Sequence, residues 1–161
     1  TSRVLTRAGF DHYEISNFAR GRANRSRHNS AYWQMKSYLG FGPSAHSFDG
    51  QSRWWNPRDL DTWIQAAENG RNPTEGRERL TREQQMAERI MLGLRTREGI
   101  DIKDFNRAFP SDFKTFFSKT VGMVLDEHLG HIDTDRFQLT PAGWLRLDSI
   151  VESFAEIIFQ R

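Results

Sequence analysis

A histidine and two aromatic residues at residues 28–33 carry the most versatile chemistry in this chain. His28 and Asn29 open the segment HNSAYW, and Tyr32 and Trp33 close it. An imidazole can ligate a metal ion, and the two rings offer flat faces on which a planar ligand could stack. The alternative is a histidine that hydrogen-bonds a backbone group and positions the loop, and the spacing alone favours this alternative.

A basic run precedes this segment. Arg20, Arg22, Arg25 and Arg27 form the densest group of positive charges in the sequence. Guanidinium groups bind carboxylates and phosphates through paired hydrogen bonds, so the run could meet an anionic ligand or a nucleic acid. A solvated loop that happens to be basic is the alternative.

A glycine-bearing junction follows the aromatic segment. Gly40, Gly42, Ser44 and Ala45 lie in the sequence GFGPSA, where a predicted strand gives way to a loop. Ligands of α/β folds sit beyond the carboxyl ends of strands, so a cofactor would lie here. The alternative is a tight turn that needs small residues. The motif is not the dinucleotide-binding fingerprint, and no suitable acidic partner follows it.

An acidic residue and four further histidines complete the candidates. Glu14, in a predicted strand, could bind a cation or a ligand hydroxyl, but we favour an ion pair with one of the four arginines at residues 20–27. The other histidines lack the spacing of a metal site and are interpreted as structural: His12, His46, His128 and His131.

Composition limits the classes of protein to consider. A length of 161 residues suits one or two small domains. The absence of cysteine excludes disulfides, thiolate metal sites and cysteine nucleophiles, and agrees with a cytoplasmic location. No apolar run has transmembrane length, and no signal peptide is recognisable. Residues 1–60 have a net charge of +5 and residues 61–161 a net charge of −3.

The residue pattern in the first part of the chain is typical of the end of an α/β unit. A helix is predicted to end at Gly9, because glycine commonly follows the last helical residue. A strand at residues 12–16, a loop at 20–30 and a short strand at 38–42 follow.

The boundary between two domains is predicted at residues 71–79. Asn56, followed by proline, predicts the start of a helix that ends at Gly70. The charged residues 71–79 then predict a linker. Residues 1–70 and 80–161 are the two domains on this interpretation.

Residues 80–161 predict a run of capped helices. Thr81 begins a capping-box pattern, and Ser111 is the predicted cap of a longer helix. A small β-hairpin is predicted around residues 132–139, and Thr140 starts the last helix. The order helix, helix, helix, hairpin, helix is close to a winged-helix arrangement.

Several of these segments, in this order, resemble a known family. The segments are YEISNFAR at 13–20, HNSAYW at 28–33, YLGFGPSAHS at 38–47, MLGLR at 91–95 and LTPAG at 139–143. They resemble the later part of radical S-adenosylmethionine proteins of the oxygen-independent coproporphyrinogen III oxidase family. The form HN-x-x-YW is similar to that of the haem-chaperone branch.

The resemblance implies a fold and a set of cofactors. Residues 1–70 would supply the last strand-helix elements of a partial (β/α) barrel, and residues 80–161 a winged-helix-like carboxyl-terminal domain. The intact parent protein would hold a 4Fe-4S cluster and S-adenosylmethionine, with haem as cargo. This chain lacks the cluster cysteines, so we interpret it as the back part of a larger protein. We expect no catalytic residue, metal site or cofactor to be held by this chain alone.

The resemblance also implies roles for the candidate residues. The haem contacts would be made by the HNSAYW segment and the basic run: His28, Asn29, Tyr32, Trp33, Arg20, Arg22, Arg25 and Arg27. S-adenosylmethionine contacts would come from Gly40, Gly42, Ser44 and Ala45. The implied partners are haem or a porphyrin and a haem-accepting or electron-transfer protein. Association with a membrane through such a partner is left open.

The sequence leaves two other functions open. Oxidative decarboxylation of coproporphyrinogen III to protoporphyrinogen IX is the alternative activity, because similar sequences carry it. A winged-helix nucleic-acid-binding module is the alternative from another class. The net acidic charge of residues 61–161 argues against it, since binding to phosphates requires several Lys or Arg contacts.

Overall fold

The structure is a computed structural model that describes residues 1–160. It has a mixed α/β fold that divides into two compact units. The first unit comprises Thr1–Gln34 and the residues from Met86 onward, and the second unit comprises Met35–Gln85. The first unit therefore joins two stretches that are far apart in the sequence.

The amino-terminal stretch of the first unit contains two helices and a β-hairpin. Its elements are α1 (Ser2–Arg7), β1 (Asp11–Glu14), β2 (Asn17–Ala19), a 3₁₀ turn (Arg22–Asn24) and α2 (Arg27–Trp33). The strands β1 and β2 pair antiparallel. Gly9 follows α1 with a φ of +81°, a left-handed conformation that ends the helix and confirms the predicted stop.

The second unit is a three-stranded antiparallel sheet with one helix. Its elements are β3 (His46–Phe48), β4 (Ser52–Trp55), α3 (Leu60–Glu68) and β5 (Gly76–Arg79). The strand order is β3-β4-β5. Phe48 and Leu80 are buried, whereas no residue of α3 is.

The carboxyl-terminal stretch contains six helices and a three-stranded sheet among the described residues. Its elements are α4 (Arg82–Leu94, whose first four residues are assigned to the second unit), β6 (Ile100–Asp101), α5 (Ile102–Ala108), α6 (Phe113–Phe116), α7 (Ser118–Asp126), β7 (Gly130–Asp133), β8 (Arg136–Leu139), α8 (Pro141–Trp144) and α9 (Leu147–Phe159). The sheet has the order β6-β8-β7. The predicted hairpin is confirmed as β7 and β8.

Phenylalanine rings fill the core of the first unit. Phe113 lies at its centre, with ring centroids of Phe105, Phe137 and Phe154 at 5.0, 5.7 and 6.0 Å. Phe117 packs between Phe113 and Phe154. Such aromatic pairs stabilise the fold beyond the burial of their apolar area.

Two predicted caps are confirmed. The Thr81 N–H donates to Gln84 Oε1 at 2.7 Å, and the Gln84 N–H donates to Thr81 Oγ1 at 3.2 Å, which is a complete capping box. Thr140 Oγ1 accepts from the Gly143 N–H at 3.1 Å at the start of α8, although the single last helix predicted from this residue is divided into α8 and α9. These signals are local, so sequence spacing alone specifies them.

Two predicted helix starts are displaced by a few residues. Helix α3 begins after Asp59, whose carboxylate accepts a backbone N–H three residues on, and not at Asn56. The Asn56 side chain is buried and donates to a carbonyl in its own unit. Asp112, and not Ser111, caps α6, and the longer helix predicted here is divided into α6 and α7. In both cases a neighbouring aspartate provides a stronger cap acceptor.

Three predicted segments differ in the structure. Residues 20–30 are predicted as a loop but contain the 3₁₀ turn and the start of α2, which Ser26 caps. Residues 38–42 form no strand, and only Tyr38 makes an isolated bridge, to Phe48. The predicted linker at 71–79 contains β5, which pairs with β4.

The two units do not divide at the predicted linker. Strand pairing uses backbone groups, so the charged side chains of β5 do not prevent it from forming a sheet edge. The barrel origin of residues 1–70 and the winged-helix-like arrangement of residues 80–161 stay predictions.

Candidate functional site

Helix α2 carries the histidine and the two aromatic residues. Ser26 caps it, because its Oγ accepts the Asn29 N–H at 3.2 Å. His28 and Tyr32 are four residues apart and share one face of the helix. Their ring centroids are 4.7 Å apart, with an interplanar angle of 73°. His28 is exposed, so its imidazole can be reached by a ligand.

Trp33, at the last position of α2, has a neighbour within the chain. The Arg95 guanidinium lies over its indole ring, 4.7 Å from the ring centroid. The indole Nε1 is buried and has no hydrogen-bond partner among residues 1–160. Arg95 therefore covers part of the Trp33 ring, whereas His28 is exposed to solvent.

A buried ion pair holds Arg95 in place. Arg95 donates from Nη2 and Nε to Glu14 Oε1 at 2.9 and 3.2 Å. Glu14 is fully buried, and its Oε2 accepts the Ser16 N–H at 3.1 Å and the Asn17 side-chain amide. The prediction that Glu14 pairs with an arginine at 20–27 is therefore wrong. Sequence reasoning missed Arg95 because its partner is 81 residues away.

Arg25 is engaged by two carboxylates. Its guanidinium forms ion pairs with Asp11, at 2.5 Å, and with Glu98. Arg97 also pairs with Asp11 at 2.5 Å. Burial acts to raise the pKa of the Asp11 carboxyl, but hydrogen bonds from Arg25 and Arg97 outweigh it, so this pKa lies below its ordinary value.

The four arginines of the basic run have different environments. Arg20 donates to the Ala8 carbonyl at 3.1 Å and lies over the Phe10 ring, 4.7 Å from its centroid. Arg22 and Arg27 are exposed. The run is therefore not one uniform anion-binding cluster, because Arg20 and Arg25 already have partners within the chain.

The glycine-bearing junction lies in the second unit, and α2 lies in the first. The N–H of Gly40 donates to Ser47 Oγ, that of Ser44 to the Pro57 carbonyl and that of Ala45 to the Gly42 carbonyl. A Cβ at Gly40 would come within 2.1 Å of the His46 carbonyl oxygen. This glycine is thus required by a close approach of the chain's own backbone.

The described residues do not fit an iron-sulfur cluster. Cysteine is absent from the sequence, and such clusters are held by cysteine thiolates. Among residues 1–160, no group of three or more His, Asp or Glu side chains could hold a metal ion. In the same range, no helix combines the length and apolar character that crossing a membrane requires.

Comparison with known proteins shows what the chain is similar to. Residues 80–146 match the family model described as HemN C-terminal domain. Over 149 residues the chain is 31% identical to the protein named Heme chaperone HemW of Mycobacterium tuberculosis, covering 92% of this chain and 36% of that protein. These matches fit a fragment of a HemW-type radical S-adenosylmethionine protein.

Other relatives in the HemN and HemW family agree. The chain is 29% identical over 154 residues to Heme chaperone HemW of Lactococcus lactis, covering 94% of this chain and 39% of that protein. It is 38% identical over 159 residues to radical S-adenosyl methionine domain-containing protein 1, mitochondrial, of Mus musculus, covering 92% and 36%. The chain spans less than two fifths of the length of these relatives.

A solved structure from the HemN and HemW family shares the fold. Coproporphyrinogen III oxidase (HemN) from Escherichia coli superposes with a TM-score of 0.69 at 19% identity, covering 95% of this chain and 38% of that one. This likeness concerns the fold. It includes both stretches of the first unit, which contain α2, Glu14 and Arg95.

Proposed function

We propose that this chain is part of a haem-chaperone-like radical S-adenosylmethionine protein and that the chain binds haem. The longer protein would deliver this haem to haem-requiring proteins. The observation that carries the proposal is the exposed His28 on α2, with the Tyr32 ring packed edge-on beside it at 4.7 Å. The names of the HemW relatives support haem as the ligand.

On this proposal, His28 ligates the haem iron through its imidazole, and Tyr32 packs beside the macrocycle. Arg22 and Arg27 are exposed and meet the haem propionates as charge-assisted donors. Arg25 contributes indirectly, since its carboxylate partners fix the segment that leads into α2. Asn29 lies in the first turn of the same helix.

The 4Fe-4S cluster and S-adenosylmethionine belong, on this proposal, to the longer protein of which this chain is a part. The cluster must be held by residues outside this chain. Contacts from Gly40, Gly42, Ser44 and Ala45 to S-adenosylmethionine remain proposed. Three of these residues already donate their N–H groups within the unit, and the carbonyls of Gly42 and Ala45 already accept hydrogen bonds there. The proposed partner is a haem-accepting or electron-transfer protein in the cytoplasm.

The experiment is a titration of ferric haem into the protein, followed by absorption. His28→Ala is expected to shift the spectrum and weaken binding, whereas His131→Ala, which removes another exposed histidine, should change neither. Replacement of Arg22 and Arg27 together should weaken binding without shifting the bands. Decarboxylation of coproporphyrinogen III by the longer protein would instead favour the oxidase alternative.

A further inference from the structure

The turn that follows α4 contacts both ends of α2. We infer that Arg95 is a positioning residue for α2, which sets the orientation of the His28 and Tyr32 face without touching the ligand. This inference rests on the proposed function for its haem readout. It assigns a role to the MLGLR segment, whose last residue is Arg95.

At the carboxyl end of α2, Arg95 links Trp33 to a buried anchor. Its guanidinium binds the Glu14 carboxylate through two donors and lies over the Trp33 ring. A planar guanidinium can do both at once, whereas an ammonium group cannot. Glu14 is fully buried and has further donors, so the anchor itself is fixed.

At the amino end of α2, the same turn contributes Glu98. It pairs with Arg25, which immediately precedes the cap residue Ser26. The Ser26 N–H in turn donates to Tyr13 Oη at 3.1 Å, and the Arg25 guanidinium lies 5.0 Å from the centroid of the Tyr13 ring. The two ends of a seven-residue helix are therefore held by residues three positions apart.

The backbone of the turn is itself fixed to β1. The Ile15 N–H donates to the Arg95 carbonyl at 3.1 Å, and the Arg97 N–H donates to the Tyr13 carbonyl at 3.0 Å. Glu14 and Thr96 form an antiparallel bridge between these two bonds. Arg95 therefore projects from a backbone that cannot shift without breaking strand-like pairing.

These contacts predict that the region matched by the HemN C-terminal domain model controls haem affinity indirectly. It would do so by holding α2 in place without contacting the haem. Arg95 lies within that region, at residues 80–146. Partners placed behind a metal ligand typically change metal affinity when they are replaced, because they orient the ligand. Loosening of α2 should therefore weaken ligation by His28 and leave the nature of the ligand unchanged.

The test compares Arg95→Lys with Arg107→Lys in the full chain. Lysine keeps a positive charge near Glu14, so the fold is retained. It lacks the planar guanidinium that binds Glu14 through two donors and lies over the Trp33 ring. Arg107 pairs on the surface with Asp104 and provides the matched control. Arg95→Lys should weaken ferric haem binding about tenfold with unshifted absorption bands, and should speed hydrogen exchange of the α2 amides. Arg107→Lys should do neither.

A second pair of variants leaves the Glu14 and Arg95 ion pair intact. Trp33→Leu removes the ring and should behave like Arg95→Lys, whereas Trp33→Phe keeps an aromatic face and should restore slow exchange in α2. Unchanged haem affinity and unchanged α2 exchange in Arg95→Lys would overturn the inference. Equal acceleration of exchange in α9 would also overturn it, since the effect would then be global.

The two proposals fail in different ways. Hydrogen exchange reports on α2 in the absence of haem. Faster exchange confined to α2 in Arg95→Lys would support the positioning role. If the unaltered chain also binds no haem, the haem proposal is contradicted. Haem binding that depends on His28 but not on Arg95 would support the haem proposal and contradict the positioning role of Arg95.

Discussion

Arg95 and Glu14 are 81 residues apart in the sequence, yet Arg95 Nη2 lies 2.9 Å from a carboxylate oxygen of Glu14 that solvent does not reach. The pair joins the two stretches of the first unit. The Arg95 side chain is 29% exposed, so one end of the pair meets water while the other is enclosed. A pair of this kind stabilises the fold chiefly because either partner alone would be poorly accommodated.

Replacement of Arg95 by Met should therefore lower the free energy of unfolding by about 3 kcal/mol, because Glu14 is left buried without its cation. The lower end of the usual range is expected, since Ser16 and Asn17 still donate to Glu14. Urea unfolding followed by circular dichroism measures the change. Glu14→Gln combined with Arg95→Met should recover part of the loss, and an equal loss in the double variant would contradict this explanation.

Asp11 should make the stability of the chain depend on pH in acid. Its folded-state pKa lies below the ordinary value of 3.8, because Arg25 and Arg97 outweigh burial. A lowered folded-state pKa gives stability that is present above the unfolded-state pKa and is lost as the pH falls through the folded-state pKa. Asp11→Asn should thus be less stable than the unaltered chain above about pH 4.

The difference between the two proteins should shrink steadily below that pH, as Asp11 takes up a proton in the unaltered chain. Urea unfolding between neutral and strongly acidic pH measures it. A difference that stays constant across this range would show that Asp11 acts through its shape and not through its charge.

Helix α9 offers a matched pair of phenylalanines. Phe154 is 1% exposed and packs against Phe113 and Phe117, whereas Phe159 is 54% exposed. Phe154→Ala should cost about 3–5 kcal/mol of stability, because it leaves a cavity among aromatic rings. Phe159→Ala should cost far less. Similar midpoints of urea unfolding for the two variants would contradict the assignment of the core.

The chain by itself should hold no iron-sulfur cluster, because it has no cysteine. Reconstitution with iron and sulfide, followed by absorption, should give no more signal than the same treatment of an unrelated cysteine-free protein. A stoichiometric cluster would refute this expectation.

Local signals were predictable from the sequence, and distant pairings were not. The capping box of Thr81 and Gln84 and the cap at Thr140 depend on residues three positions apart, so their spacing specifies them. The partner of Glu14 depends on how residues 1–34 pack against residues 86–160. Charge alone favoured a nearby arginine, and the MLGLR segment that ends at Arg95 does not by itself indicate pairing with Glu14.

The candidate site was predictable only in part. The spacing of His28 and Tyr32 predicts a shared helical face once α2 is known, but the segment was predicted as a loop until Ser30. The role of Gly40 could not be predicted from the sequence. Its backbone lies close to the His46 carbonyl, and this approach depends on how the chain of the second unit folds.

The most direct test of the haem proposal is the absorption spectrum of ferric haem bound to the chain, with and without His28. The unaltered chain should show an imidazole-ligated spectrum. His28→Ala should show a shifted spectrum and binding weakened about tenfold or more, and added imidazole should restore the bands. If His28→Ala remains folded and binds haem with unchanged spectrum and affinity, His28 is not the ligand and the proposal is contradicted.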